Sequence, residues 1–89
     1  MNLETNLSVP PQVMSRLVGD ETVLLDLASG TYFGLDGVGK CIWEAVSGGH
    51  SLAKTVVVVT AEFDVDKAQA ADDVIEFTNE LLERGLLIV

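Results

Sequence analysis

The spacing of apolar positions along the chain changes character twice. From Gln12 to Gly19 it alternates, with Val13, Ser15 and Leu17 on one side and Met14, Arg16 and Val18 on the other. That period of two predicts a strand with a mixed outer face. Gly19-Asp20-Glu21 reads as a turn, and residues 22–27 form a second strand with Val23, Leu25 and Leu27 on one face and Asp26 on the other. So short a connection predicts antiparallel pairing. Ser29-Gly30 is a second tight turn, because glycine tolerates positive φ. Thr31-Tyr32-Phe33-Gly34 is a third strand, short and rich in β-branched and aromatic residues. At Asp36 the period becomes helical. Asp36 is an expected N-cap, and Val38, Ile42, Trp43 and Val46 make one inward stripe. Gly37 and Gly39 weaken this helix, for which close approach to the sheet is the expected reason. Ser47-Gly48-Gly49-His50 ends it.

The next segment, 52–62, follows a capping Ser51, but its run Thr55-Val56-Val57-Val58-Val59-Thr60 is β-branched throughout. Propensity favours a strand there, and the flanking Ala53, Lys54, Ala61 and Glu62 leave helix equally open. Asp66 caps a third helix over 67–84, with Gly85 as its stop. The apolar tail 86–89 is expected to dock on the core. Residues 1–10, with Pro10-Pro11 at their end, read as a flexible N-terminal arm, and 11–89 as a single domain.

The third helix has more apolar surface than a small core requires. At 100° per residue, Phe77, Ala70, Leu81, Val74, Thr78, Ala71, Leu82 and Ile75 spread in that order over roughly 160°. The edge with Ile75, Leu82 and Ala71 would serve the core, and the edge with Phe77, Ala70 and Leu81 would overhang. Either the tail covers the surplus, or it walls a groove beside an exposed strand, where an extended amphipathic peptide can bind.

Length and charge narrow the function. Eighty-nine residues make one domain, and no apolar run approaches the roughly 18 residues of a membrane span. The N-terminus has no basic stretch followed by an apolar block, so no secretory signal is expected. A single cysteine excludes an internal disulfide and suits a reducing, cytoplasmic setting. The net charge is −9, from fourteen acids against five bases. Nucleic-acid affinity comes mainly from Lys and Arg displacing counterions, so phosphate backbones are not expected partners. A peptide with some positive charge would be steered in.

Residues for chemistry are scarce. One His and one Cys do not make a zinc site. His50 sits in a Gly-rich loop, and Cys41 reads as a small buried hydrophobe without a neighbouring base. The segment Gly34-Leu35-Asp36-Gly37-Val38-Gly39 lacks the spacing of a phosphate loop. The carboxylates of the third helix form a solvated face. The chain is therefore read as a non-enzyme that needs no cofactor and no metal.

Three strands followed by three helices describe an α+β, winged-helix-like domain. Leu24-Leu25-Asp26-Leu27, Gly30-Thr31-Tyr32-Phe33-Gly34-Leu35, Val38-Gly39 and Ile42-Trp43 resemble the PqqD-like family, as do Phe63-Asp64-Val65, Asp72-Asp73-Val74, Phe77, Leu81-Leu82 and Gly85-Leu86. The likeness runs from about residue 9 to 87. Asp36 departs from the family's usual Asn, and the valine run is unusually β-branched for the family's second helix, which the resemblance nonetheless makes helical. The resemblance implies a freestanding recognition element for ribosomally synthesised and post-translationally modified peptides, more similar to those of lasso-peptide pathways than to the pyrroloquinoline quinone pathway protein. Such an element binds a precursor's leader by strand addition and delivers it to a modifying enzyme such as a leader protease, cyclase or radical enzyme. Carried onto this chain, the strand edge is Gly30, Thr31, Tyr32, Phe33, Gly34 and Leu35. The cleft wall is Ala70, Val74, Phe77, Thr78 and Leu81. Asp73 and Glu80 would attract a basic leader residue and Arg84 an acidic one. Alternation alone does not say whether Tyr32 or Phe33 faces the cleft.

Two other readings compete. A protein–protein adaptor or dimerisation module could use the same apolar edge. On any of these readings an exposed edge and groove also invite self-pairing, so the chain is expected as a monomer or a strand-exchanged homodimer. A transcriptional winged helix would need a basic recognition helix, whereas the third helix carries Asp72, Asp73, Glu76, Glu80 and Glu83 against Lys67 and Arg84.

Overall fold

A computed structural model describes residues 2–89. Strands β1 (Val13–Val18), β2 (Glu21–Asp26) and β3 (Thr31–Leu35) are followed by helices α1 (Gly37–Ser47), α2 (Leu52–Glu62) and α3 (Lys67–Glu83). The sheet is antiparallel in the order β1-β2-β3, so β3 is an edge strand. The α+β class and the winged-helix-like order expected from the sequence are those observed. No helix among the described residues is long and apolar enough to cross a membrane.

The sheet's inner face is set by Leu24, which is fully buried. Phe33 lies opposite Leu24, and so shares that face. The outer face carries Met14, Leu25 and Tyr32 in one row across the three strands. Met14 and Tyr32 remain exposed there. On the inner side, Ile42, Trp43 and Val46 of α1 join Leu52, Val56 and Val59 of α2 in the core.

Local choices mostly follow the expected chemistry, with instructive exceptions. The valine run is helical, because Ser51 Oγ accepts from the Lys54 N–H at 3.1 Å and the Thr55 hydroxyl donates back to the Ser51 carbonyl at 2.8 Å. Burial of Val56 and Val59 then outweighs the small intrinsic preference for a strand. Asp36 precedes α1 in an extended conformation but makes no side-chain capping bond, contrary to its expected role. Gly37 is required by backbone shape, with φ of +54° and open space where a Cβ would sit. Gly39 does reflect close approach, but to α3 and not to the sheet.

The arm at 1–10 was expected to be loose. The described part is instead tied down. The Leu3 and Thr5 carbonyls accept from Ala53 N–H (2.8 Å) and Leu52 N–H (3.1 Å). Those donors belong to the first turn of α2, where no intrahelical acceptor exists. Ser8 and Ile88 exchange backbone bonds of 2.7 and 2.8 Å, and Leu7 is buried. The C-terminal tail docks as expected, with Leu86 and Leu87 buried.

The third helix is rotated relative to the expected packing. Ala70, Val74, Thr78 and Leu81 are its buried residues, while Ile75 is 38% exposed. A helical wheel orders residues around an axis, but the rotation of that axis is set by its neighbours. Here the small Ala70 and the Thr78 hydroxyl face inward. Thr78 Oγ1 donates to the Val74 carbonyl at 2.7 Å, so its burial leaves no polar group unmatched.

Candidate functional site

β3 supplies the backbone part of the site. The Leu27 N–H donates to the Gln12 carbonyl at 2.8 Å on the β1 side of the hairpin. Hydrogen-bonding direction alternates along a strand, so Glu21, Val23 and Leu25 turn their backbone groups to β1, and Thr22, Leu24 and Asp26 turn theirs to β3. Through the register Thr22↔Leu35, Leu24↔Phe33 and Asp26↔Thr31, residues 31, 33 and 35 of β3 are engaged with β2. Tyr32 and Gly34 therefore direct their N–H and C=O groups outward from the free edge. Gly30, with φ of +75°, makes the turn that starts this strand.

Side chains divide differently. Tyr32 is 73% exposed on the outer sheet face. Phe33 points to the inner side, half-buried against the core, and it is the aromatic that faces α3. Arg84 lies over its ring, with the guanidinium carbon 4.9 Å from the ring centroid. Thr31 is exposed and Leu35 buried.

Between the start of α1 and α3 lies an open cavity of about 260 Å³ lined by Val38, Gly39, Ile42, Asp73, Glu76, Phe77 and Glu80. Phe77 can pack there because residue 39 has no side chain: a Cβ on Gly39 would stand 3.3 Å from Phe77 Cε1. Of the residues anticipated at the cleft, Phe77 of the wall and the charged Asp73 and Arg84 are accessible. Ala70, Val74, Thr78 and Leu81 are at most 4% exposed and lie beneath, in the core. Gly39 and Glu76 escaped the sequence reading of the cleft; it placed Val38 and Ile42 inward, where Ile42 does lie in the core and Val38 packs against it, and both also wall this cavity. The available signal was Gly39 itself. A glycine inside a helix is intrinsically unfavourable relative to alanine, and an apolar partner on another helix explains Gly39, the third residue of α1.

Among the described residues, no group of three His, Cys, Asp or Glu side chains converges to hold a metal ion. Cys41, adjacent in sequence to Ile42, is buried and free. Burial first, then the nearby Glu62 carboxylate, push its thiol up to about 11 from 9.0. The unfolded chain then loses this proton at lower pH than the folded one, so the neutral thiol's contribution is complete below pH 9 and is lost as pH rises towards 11. Thermal melts across pH 8–11 should show a steeper decline for the native protein than for Cys41→Ala. Parallel declines would refute this assignment.

The family model for coenzyme PQQ synthesis protein D (PqqD) matches residues 21–87. The chain belongs to the PqqD family. Among solved structures, TbiB1 in complex with the TbiA(beta) leader peptide is 38% identical with a TM-score of 0.85, over 90% of this chain and 93% of that one. Lasso peptide synthetase B1 complexed with the leader peptide is 26% identical with a TM-score of 0.88, over 96% of this chain and 100% of that one. Comparison with curated proteins finds no match. The β3 edge, the Phe33–Arg84 stack and the Phe77 cavity are thus features of a PqqD-family domain whose structural relatives were solved with leader peptides.

Proposed function

We propose that this PqqD-family protein binds the leader segment of a ribosomally synthesised precursor peptide and delivers it to a modifying enzyme, in a pathway of the lasso-peptide type. The observation that carries this is the similarity over nearly the whole chain to two B1-type proteins captured with leader peptides. The local geometry supplies a mechanism. A peptide added beside β3 satisfies the outward backbone groups of Tyr32 and Gly34, which water otherwise serves. Its alternate side chains turn towards Phe33 and the cavity beside Phe77. The role is binding without bond chemistry. Holding a substrate next to its enzyme raises its effective concentration. The peptide-contact set is Thr31 to Leu35 along the edge, with Asp73, Phe77 and Arg84 across the groove. Ala70, Val74, Thr78 and Leu81 act from below by holding α3 in place.

Titration of the TbiA(beta) leader peptide into isotope-labelled protein should move the amide resonances of 31–35, Gly39 and Phe77. Gly39→Leu places a side chain in the cavity and should weaken binding about tenfold or more. Because its Cβ would stand 3.3 Å from Phe77 Cε1, the melting temperature should also fall, and a retained cooperative melt shows that binding is lost from a folded protein. Shifts confined to residues remote from β3 and α3, or no binding at all, would overturn the proposal.

A further inference from the structure

The groove has a charged end that the cavity does not include. Arg84 is the C-cap of α3 and spans the gap between that helix and β3. On one side its guanidinium rests over Phe33. On the other, Nε and Nη2 both donate to the same oxygen, Glu80 Oε1, at 3.3 and 3.2 Å. A guanidinium has five N–H donors in a planar fork. Two are engaged here by one carboxylate oxygen, and the others have no protein partner among the described residues. Stacking and the ion pair hold the plane in place in advance, so little rotamer freedom remains to be lost when a ligand arrives. The Glu80 pair is itself exposed on both sides, 48% and 56%, and contributes little to stability. The rest of the groove's charge is of the opposite sign: Asp73, Glu76 and Glu80 line the cavity.

We propose that Arg84 is a specificity-determining residue that accepts one acidic side chain of the bound peptide at the level of Phe33, and so sets the peptide's register along β3. This inference rests on the leader-binding reading above. Strand addition by itself is tolerant of register, because backbone hydrogen bonds recur along the strand. A single preorganised cation at one end, with carboxylates along the cavity, breaks that degeneracy. A peptide shifted by two residues keeps its backbone bonds but loses the ion contact, or brings an acid against Asp73 and Glu76.

The test is a charge scan of the TbiA(beta) leader peptide. Single Glu and Lys substitutions are placed at successive positions and their affinities measured by fluorescence anisotropy against native protein, Arg84→Gln and Arg84→Glu. One position should prefer Glu over Lys by about five- to tenfold in the native protein. That preference should vanish in Arg84→Gln and invert in Arg84→Glu, while affinity for peptides altered elsewhere changes uniformly. Thermal melts of Arg84→Gln should stay close to the native protein, since Arg84 is exposed. Arg84→Glu should melt a few degrees lower, because its carboxylate meets Glu80 at the C-terminus of α3, and remain folded at the assay temperature. A flat scan in the native protein, or a preference that survives Arg84→Gln, overturns the register role while leaving leader binding intact. Failure of the unsubstituted leader to bind native protein overturns the leader-binding reading and this inference with it.

Discussion

Tyr32→Pro is expected to leave the protein folded and to remove leader binding. The two outcomes separate because of hydrogen-bond direction. Tyr32 turns its N–H away from β2, by the alternation that runs from the Leu27–Gln12 bond through the β2–β3 register. Proline is tolerated on an edge strand where the missing N–H faces solvent. The side chain lies on the exposed outer face, so its loss opens no cavity. An added peptide strand would lose a donor, and its own carbonyl would face the proline ring. A net hydrogen bond contributes about 0.5–1.5 kcal/mol, and leaving a partner unsatisfied costs roughly 1–3 kcal/mol. Dissociation constants should therefore rise about tenfold or more, measured by anisotropy with the TbiA(beta) leader. Phe33→Pro makes the paired control. Phe33 bonds to β2 and faces the core, so that variant should lose stability as well. If Tyr32→Pro binds with native affinity, the peptide does not pair with this edge.

The largest effect on stability is expected from Trp43→Ala. Trp43 is 2% exposed and belongs to the same core cluster as Leu24 of β2, Leu52 of α2 and Leu86 of the tail. Removing a buried Trp side chain costs about 3–5 kcal/mol, the sum of lost transfer energy and a residual cavity. Domains of this size have roughly 5–10 kcal/mol in total. At about 4–8 °C per kcal/mol for a small domain, the melting temperature should fall by at least about 12 °C when followed by circular dichroism. A drop below about 5 °C would show that the core closes around the gap, contrary to the packing described.

How much of this was legible beforehand depends on the range of the interaction involved. Elements whose signals are local were read correctly: the two hairpin turns, the Asp66 cap, which accepts from the Gln69 N–H at 2.8 Å, and the Gly85 stop, with φ of +74°. The valine run of α2 was balanced on the residues alone, and family resemblance tipped it to helix. Its outcome rests on burial of Val56 and Val59 against other elements, which no local rule contains. The N-terminal arm was misread for a similar reason. Its hydrogen bonds go to Leu52, Ala53 and Ile88, more than forty residues away in the chain.

The groove shows the division most clearly. From the sequence came a helix with too wide an apolar face, an aromatic edge strand and an excess of negative charge. Those are properties of single segments, and period and composition determine them. Which stripe of α3 is buried depends on how that helix is rotated against α2 and against Gly39 of α1. That rotation places Ala70, Val74, Thr78 and Leu81 in the core and leaves Phe77 at the surface of the cavity. The choice between Tyr32 and Phe33 depends on which face of β3 meets the helices, and the register with Leu24 decides for Phe33. The meeting of Phe33 with Arg84, fifty-one positions apart by their numbers, exists only once the sheet and the last helix are packed, because side chains on separate segments acquire a distance only from the fold.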